Sequence, residues 1–507
     1  MSFLSQGQKF KNLKTLFKDI NVEAKKKILI HGYHGASHAD LNTNLSCYLA
    51  ETGVYDVYMI VFAHRKEYIN TLKKCGAKPI LYYSQESKEE KKYHLSSNIS
   101  EWVLGESLIE NDFNLRQNWH QNLKSQKFDM VISDQENYFP IVADYLGVAH
   151  YIRISSGPYD AELLMDYGHQ KCHSTCHVIQ ETRLLSKERM LDQYSLTQRY
   201  QNLKAMYQWR YKLDNLFRLR VEEILIEQAN FNYYQNQKMP DLIISAIQGV
   251  QPLTPATGQF KFLYPSHKIR NGTRYSKQPP QQLQNFMNNH GKIIVISFGT
   301  FAVPEENKLR QINQFIIERT DYAFVIRYYG AQDNNALRNP RVRVFQELPQ
   351  KFLLSHPNVK AFITHGGWGS VTESIQNLKP MIVIPIQFDQ FLNCKHVHLN
   401  NLGSCINAQE IQVDLEIAIE KIERGDHEQS LQMLSNVIMY EMKHSETIFD
   451  AVNELFQTSS GDSTHTLPIY RKMNTIQYFE LDIFASIFLL IVIFLLFILE
   501  LLKRCLK

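Results

Sequence analysis

Short apolar runs recur along the chain, each closed by a polar or glycine-rich turn and most followed by a segment of helical period. Lys25 to Gly35, KKKILIHGYHG, predicts a strand entering a polar turn, and Leu41, Leu45 and Leu49 then repeat at helical spacing. Further strands are predicted over Tyr55–Phe62, Ala77–Tyr83, Phe128–Ser133 (ending at Asp134) and Val148–Ile154. Strands alternating with helices predict an α/β fold, a parallel sheet with helices on both faces. Residues 158–235 change character to long helices rich in Tyr, Arg, Glu and Leu. Residues 236–290 gather Pro, Gln and Asn, as in KMPD, QPLTP and KQPPQQ, which is linker composition. Within them FKFLYP is expected to open a second domain, continued by IIVISFGT, FVIRYY, VRVFQEL, AFITHGG and MIVIPI, with helices over 410–457. The two halves share a plan without a residue-level repeat.

One segment breaks the globular pattern. Ile483 to Leu499 is seventeen residues without a charge, and Leu501 and Leu502 extend it past Glu500. That approaches the twenty or so residues a bilayer core requires, so a transmembrane helix is expected over 483–502, with a basic tail at 503–507. The expected division is an N-terminal segment 1–24, a first domain 25–240 with its helical insert at 158–235, and a linker 241–257. A second domain 258–457, a juxtamembrane segment 458–482 and the span follow. At 507 residues the chain exceeds a single core. A net charge of +4 with no basic stripe gives no sign of nucleic acid as a partner. Seven scattered cysteines argue against a disulfide framework.

The candidate chemistry concentrates in Phe362 to Asn393, FITHGGWGSVTESIQNLKPMIVIPIQFDQFLN. This reads as a βαβ unit with a glycine-rich turn. Glycines let the backbone approach a phosphate, and the free N–H groups of a helix start favour an anion. Glu373, one turn into the helix, is placed to reach a ribose hydroxyl, and Asp389-Gln390 offers polar groups to whatever the phosphates carry.

These residues resemble the donor-binding motif of the UDP-glycosyltransferases, including the animal UDP-glucuronosyltransferases and plant glucosyltransferases. The resemblance extends upstream to ELPQKFLLSHP (347–357) and ISFGT (296–300) and weakly into the first half. It implies a GT-B fold, two Rossmann-like domains facing across a cleft. It implies that His365 bonds the diphosphate, that Gly367, Gly369 and Ser370 cradle it, and that Gly299 and Thr300 close from the other side. It assigns Gln350 to the uracil edge, Glu373 to the ribose, and Asp389 with Gln390 to the sugar hydroxyls. Helix dipole and N–H donors then replace a metal ion, so neither metal nor cofactor is expected, UDP-sugar being a co-substrate.

A base to deprotonate the acceptor is expected from the first domain. His31, His34 and His38 all lie near the first strand's end, and spacing alone does not choose among them. Ser37-His38, at the helix start, matches the Ser-His of the family, and Asp134 matches the Asp that orients the histidine and stabilises its charged form. Two positions depart from the family pattern. Glu347 stands where a Trp usually stacks on uracil, with Phe345 a candidate replacement, and Gly369 stands where Asn is usual. His169, Cys172, His173, Cys176 and His177 have spacings that suit zinc, but no second Cys/His pair accompanies them, and a polar helix in the insert is the expectation.

The resulting expectation is an inverting transferase moving a hexose (glucose or glucuronic acid) from a UDP-sugar to a small lipophilic or lipid acceptor. A non-catalytic UDP-sugar binder, a sugar-nucleotide epimerase and a lipid-linked N-acetylglucosamine transferase are the rivals. Related animal enzymes carry a cleaved leader into the endoplasmic reticulum lumen. Residues 1–24 hold no apolar core of that length and read instead as a basic amphipathic helix around Phe10, Leu13, Phe17 and Ile20. The basic tail favours a lumenal catalytic domain. The sequons at Asn44, Asn98 and Asn271 decide nothing.

Overall fold

The computed structural model describes residues 24–31, 36–63, 65–82, 123–134, 143, 145–155, 204, 241–245, 260–262, 279–299, 304–327, 339–345, 348–386, 390–406, 411–444, 446–458 and 481–505. The helical insert at 158–235 (Lys204 apart), the cluster His169–His177 and residues 1–23 lie outside them.

The described strands form two parallel sheets. The first holds β1 (Lys27–His31), β2 (Asp56–Phe62), β3 (Lys78–Tyr82), β4 (Met130–Asp134), β5 (His150–Ser155), β6 (Leu242–Ser245) and β7 (Phe260–Phe262), in the order β3-β2-β1-β4-β5-β6-β7. Between β1 and β2 runs α1 (Ala36–Glu51), and between β2 and β3 runs α2 (Lys66–Cys75). The second sheet holds β8 (Ile293–Ser297), β9 (Ala323–Arg327), β10 (Val342–Phe345), β11 (Val359–Thr364), β12 (Met381–Val383) and β13 (Gly403–Cys405), in the order β10-β9-β8-β11-β12-β13. Its helices are α3 (Gln281–Asn289), α4 (Glu306–Glu318), α5 (Gln350–Ser355), α6 (Trp368–Gln376), α7 (Gln390–Leu399), α8 (Ile411–Glu423) and α9 (Glu428–His444). Then come α10 (Ile448–Thr458) and α11 (Leu481–Cys505).

Both sheets are covered on two faces, which is why their strands read as nearly unbroken apolar runs. Along β8, Ile293 and Val295 enter one buried cluster while Ile294 and Ile296 enter the opposite one, the period of two expected of a strand. Along β1, Ile28 and Ile30 face the cluster that holds Leu45 and Leu49 of α1, and Leu29 faces the other side.

Three findings change the sequence picture. FKFLYP does not open the second domain: β7 pairs in parallel with β6 as the outermost strand of the first sheet. The expected strand is present over Phe260–Phe262 but belongs to the first sheet, and the second unit begins instead at α3. The chain also returns to the first unit at its end. Ile448, Ala451, Val452 and Leu455 of α10, spaced as one helical face, are buried in the first core, with Phe456 against Tyr55 at 5.6 Å and edge-on to His150 at 5.2 Å. Finally, among the described residues four cysteines pair. Cys47–Cys75 joins α1 to α2, and Cys394–Cys405 joins α7 to β13. Pairing follows from the fold and not from spacing, since the partners stand 28 and 11 residues apart.

Among the described residues one helix is long and apolar enough to cross a membrane. Leu481–Arg504 has a mean hydropathy of 3.0, and none of it is buried against the rest of the protein.

Candidate functional site

Parallel sheets of this kind bind ligands beyond the carboxyl ends of the strands, where the strand order reverses. In the second sheet that point lies between β8 and β11, and Ser297 is level there with Thr364. The turns that follow these two strands carry Gly299 and His365. Gly299 has φ +77°, and a Cβ added to it would stand 2.7 Å from both Cε1 and Nε2 of His365. A Cβ on Gly367 would stand 2.6 Å from the same Nε2. The imidazole therefore fills a slot made by two missing side chains, one from each turn. Thr364 Oγ1 accepts from Gly366 N–H at 3.3 Å and lies 3.3 Å from His365 Nδ1, and the ring also hydrogen-bonds the backbone of Ser297. Burial, reinforced by the charge of Arg327, pushes the His365 pKa down to about 4, so the ring is neutral at neutral pH.

The helix α6 starts directly behind this slot. Gly367 caps it without a side-chain bond, which leaves the first N–H groups of the helix to a ligand. Ser370, nearly buried, accepts from Gln350 Nε2 at 3.2 Å, and the same nitrogen reaches Glu373 Oε2 at 2.8 Å. Gln350, Ser370 and Glu373 are thus one connected group, drawn from α5 and α6. Burial raises the Glu373 pKa; Lys351 and the Gln350 bond oppose this, and Asp40 of α1 adds to it. Gly369 is exposed, and a Cβ there would meet nothing within 4 Å.

Gln390, expected at the sugar, also has a structural task. It is 6% exposed, and its Oε1 accepts from Ile386 N–H at 2.9 Å. Asn393, three residues on and fully buried, donates to the Gly366 carbonyl at 2.8 Å. The first turn of α7 therefore braces both the loop before it and the glycine turn. Thr300, Glu347 and Asp389 lie outside the described residues. Asn393 and Arg327 are absent from the sequence reading. The first was detectable as a polar position on the Gln390 face of a helix, the second as a charge closing the apolar run FVIR.

In the first sheet the order reverses between β1 and β4. His31 ends β1 level with Ser133 of β4, and Asp134 is the last residue of β4. His38 lies in the first turn of α1, half-buried. His38 and Asp134 thus come to one sheet edge at the switch point; the side chain of Asp134 and the whole of His34 lie outside the described residues. Among the described residues no group of three or more His, Cys, Asp or Glu is arranged to hold a metal.

Residues 63–507 match the family described as "UDP-glucoronosyl and UDP-glucosyl transferase". Mouse (Mus musculus) UDP-glucuronosyltransferase 3A2 is 26% identical over 212 residues, 40% of this chain and 40% of that protein. Rat (Rattus norvegicus) UDP-glucuronosyltransferase 1A3 is 26% identical over 336 residues, 62% of this chain and 58% of that protein. The matched spans thus cover about two-fifths to three-fifths of these relatives. Among solved structures, the glycotransferase of kitacinnamycin superposes with a TM-score of 0.56 at 14% identity, covering 88% of this chain and 99% of that one. CalG4, the calicheamicin glycosyltransferase, superposes with a TM-score of 0.53 at 16% identity, covering 86% and 98%. At such identities the likeness speaks for the fold, and the fold is GT-B.

Proposed function

This chain belongs to the UDP-glucoronosyl and UDP-glucosyl transferase family, and on that premise we propose that it is an inverting glycosyltransferase. It would move a hexose, glucose or glucuronic acid, from a UDP-sugar to a hydroxyl of a small lipophilic acceptor. The observation that carries this reading is the meeting of Gly299, His365 and Gly367 in one slot, beside the linked group Gln350–Ser370–Glu373 and within the field of Asp40.

In this reading His38 accepts the proton of the acceptor hydroxyl as its oxygen attacks the anomeric carbon. The bond from that carbon to the β-phosphate oxygen breaks on the opposite face, and its electron pair leaves with UDP. Asp134 orients the imidazole and offsets the positive charge it gains. The N–H groups at the start of α6 meet the charge developing on the diphosphate, joined by His365 when its single ring N–H turns from the Ser297 backbone to the phosphate. Gln350 serves the uracil and Glu373 the ribose. Gln390 and Asp389 serve the sugar hydroxyls. UDP-sugar is a co-substrate here, and no metal or cofactor takes part.

The membrane reading follows the same line. α11 anchors the protein, Lys503, Arg504 and Lys507 face the cytosol, and the catalytic part lies in the endoplasmic reticulum lumen. Two disulfide pairs suit that oxidising compartment. A lipophilic acceptor is favoured because such molecules concentrate at the anchoring membrane. Glu347 and Gly369, where the family pattern has Trp and Asn, favour a second reading, a membrane-anchored UDP-sugar binder without activity. The deciding experiment offers the full chain UDP-glucose and UDP-glucuronate in turn, with pooled lipophilic alcohols and phenols. Acceptor-dependent UDP release is expected with one of them. No release from a protein that UDP stabilises against heat would favour the binder.

A further inference from the structure

We propose that the Cys394–Cys405 disulfide is a positioning element of the donor site that holds the glycine turn in place, an inference that rests on the donor-site reading above. Cys394 is fully buried in α7, one residue after Asn393 and four after Gln390. Cys405 is half-buried and ends β13, a strand of three residues and the outermost described strand of the second sheet. So short an edge strand has few ladder bonds, and such segments open first. The disulfide ties it to α7, holding the two Cα atoms 5.0 Å apart.

That tie closes a circuit of contacts around Gly366. Asn393 Nδ2 donates to the Gly366 carbonyl at 2.8 Å. On the other side, a Cβ added to Gly366, at φ +84°, would stand 2.5 Å from Cγ1 of Val383. Val383 therefore fills the space a side chain would take. It ends β12 level with Cys405, and its carbonyl oxygen accepts from Ile406 N–H at 2.8 Å and lies 3.4 Å from Cys394 Sγ. Gly366, Asn393, Cys394, Cys405 and Val383 thus follow one another round a closed loop. One side of it is a hydrogen bond and another a van der Waals contact, while the disulfide is the covalent side.

Gly366 stands between His365 and Gly367, the two residues this turn gives to the slot. If α7 moves away from β13, Asn393 leaves the Gly366 carbonyl and the turn gains freedom, imidazole included. Such a movement also draws Gln390 from the Ile386 N–H that it meets at 2.9 Å. The sulfurs then act through backbone placement, with no contact to the ligand. In the donor-site reading this turn holds the diphosphate, while Gln350 of α5 serves the uracil. The loss on breaking the disulfide should therefore fall on ligands that carry phosphate.

The test measures UDP and uridine binding by calorimetric titration of the full chain in detergent, before and after a phosphine reductant. The phosphine gives up two electrons and leaves as its oxide, and the S–S bond becomes two thiols with protons from water. The UDP dissociation constant of the wild type should rise roughly 3- to 10-fold, the scale of one lost hydrogen bond. Uridine affinity should stay within about twofold. Oxidised glutathione, which takes the two electrons back and leaves as two thiols, should restore UDP binding. Cys394→Ala with Cys405→Ala should bind UDP as the reduced wild type does and ignore both reagents. Cys47→Ala with Cys75→Ala should still respond to them. Wild-type UDP affinity in the Cys394→Ala, Cys405→Ala variant would overturn the proposal. So would a parallel loss for UDP and uridine, which would mark general loosening. A wild-type chain that binds neither ligand would instead defeat the donor-site reading, and the role of the disulfide with it.

Discussion

Gly299 and His365 share one volume: a Cβ on the glycine would lie 2.7 Å from two atoms of the imidazole. Gly299→Ala must therefore move the ring, and it also places an L side chain at φ +77°, at a cost of about 1–2 kcal/mol. The variant should keep its fold and lose UDP affinity at least about tenfold. Melting temperature with and without UDP checks both. An unchanged UDP-induced shift would show that the ring's position does not matter to the donor.

Gly369 is the contrasting glycine. Its Cβ direction is open and its φ is outside the left-handed region. Gly369→Asn should fold as the wild type does and add a side-chain donor at the start of α6. The KM for the UDP-sugar should fall several-fold, since one added hydrogen bond contributes about 1 kcal/mol. A drop in thermal stability would contradict the open space assigned to this position.

Acid should destabilise the second domain. Burial holds His365 and His396 down to about 4. Both rings are neutral in either state above about pH 6.5. Between there and pH 4 the unfolded chain binds more protons than the folded one, so stability falls as pH falls. Each group contributes at most on the order of 3 kcal/mol, less for the partly exposed His365. Urea midpoints at pH 7.5, 6 and 5 should decrease in order, and His396→Asn should flatten the trend. A constant midpoint would contradict this.

The disulfides make a prediction for the first unit. Cys47–Cys75 closes a loop with a sequence separation of 28 residues, which limits the unfolded chain by about 2–4 kcal/mol. Cys47→Ala with Cys75→Ala should lower the melting temperature by roughly 5–10 °C. Mass spectrometry of the unreduced protein should find both pairs linked, and free thiols at all four cysteines would refute the pairing.

The apolar runs placed the strands well because residues buried on two faces leave a strong local signal. Ile293 to Ser297 and Phe362 to Thr364 show this. β7 was not legible as part of the first sheet, because three residues among prolines and glutamines carry too little pattern to say which sheet they join. Cys394 and Cys405 were equally silent, since contact between them exists only after α7 docks beside β13. The glycine turn was readable as a phosphate site, but the slot that joins it to Gly299 is a property of two strands pairing in register. Gln390 has a second task the motif did not disclose: its oxygen holds the backbone of Ile386.

The central claim is that His38 is the base of a transfer reaction whose donor is held elsewhere. It is tested most directly by His38→Ala in the full chain, with UDP affinity and acceptor-dependent UDP release measured on the same preparation. The account predicts UDP affinity within about twofold of the wild type, with release reduced at least about a hundredfold. Release at the wild-type rate, from a variant that still binds UDP, would contradict it.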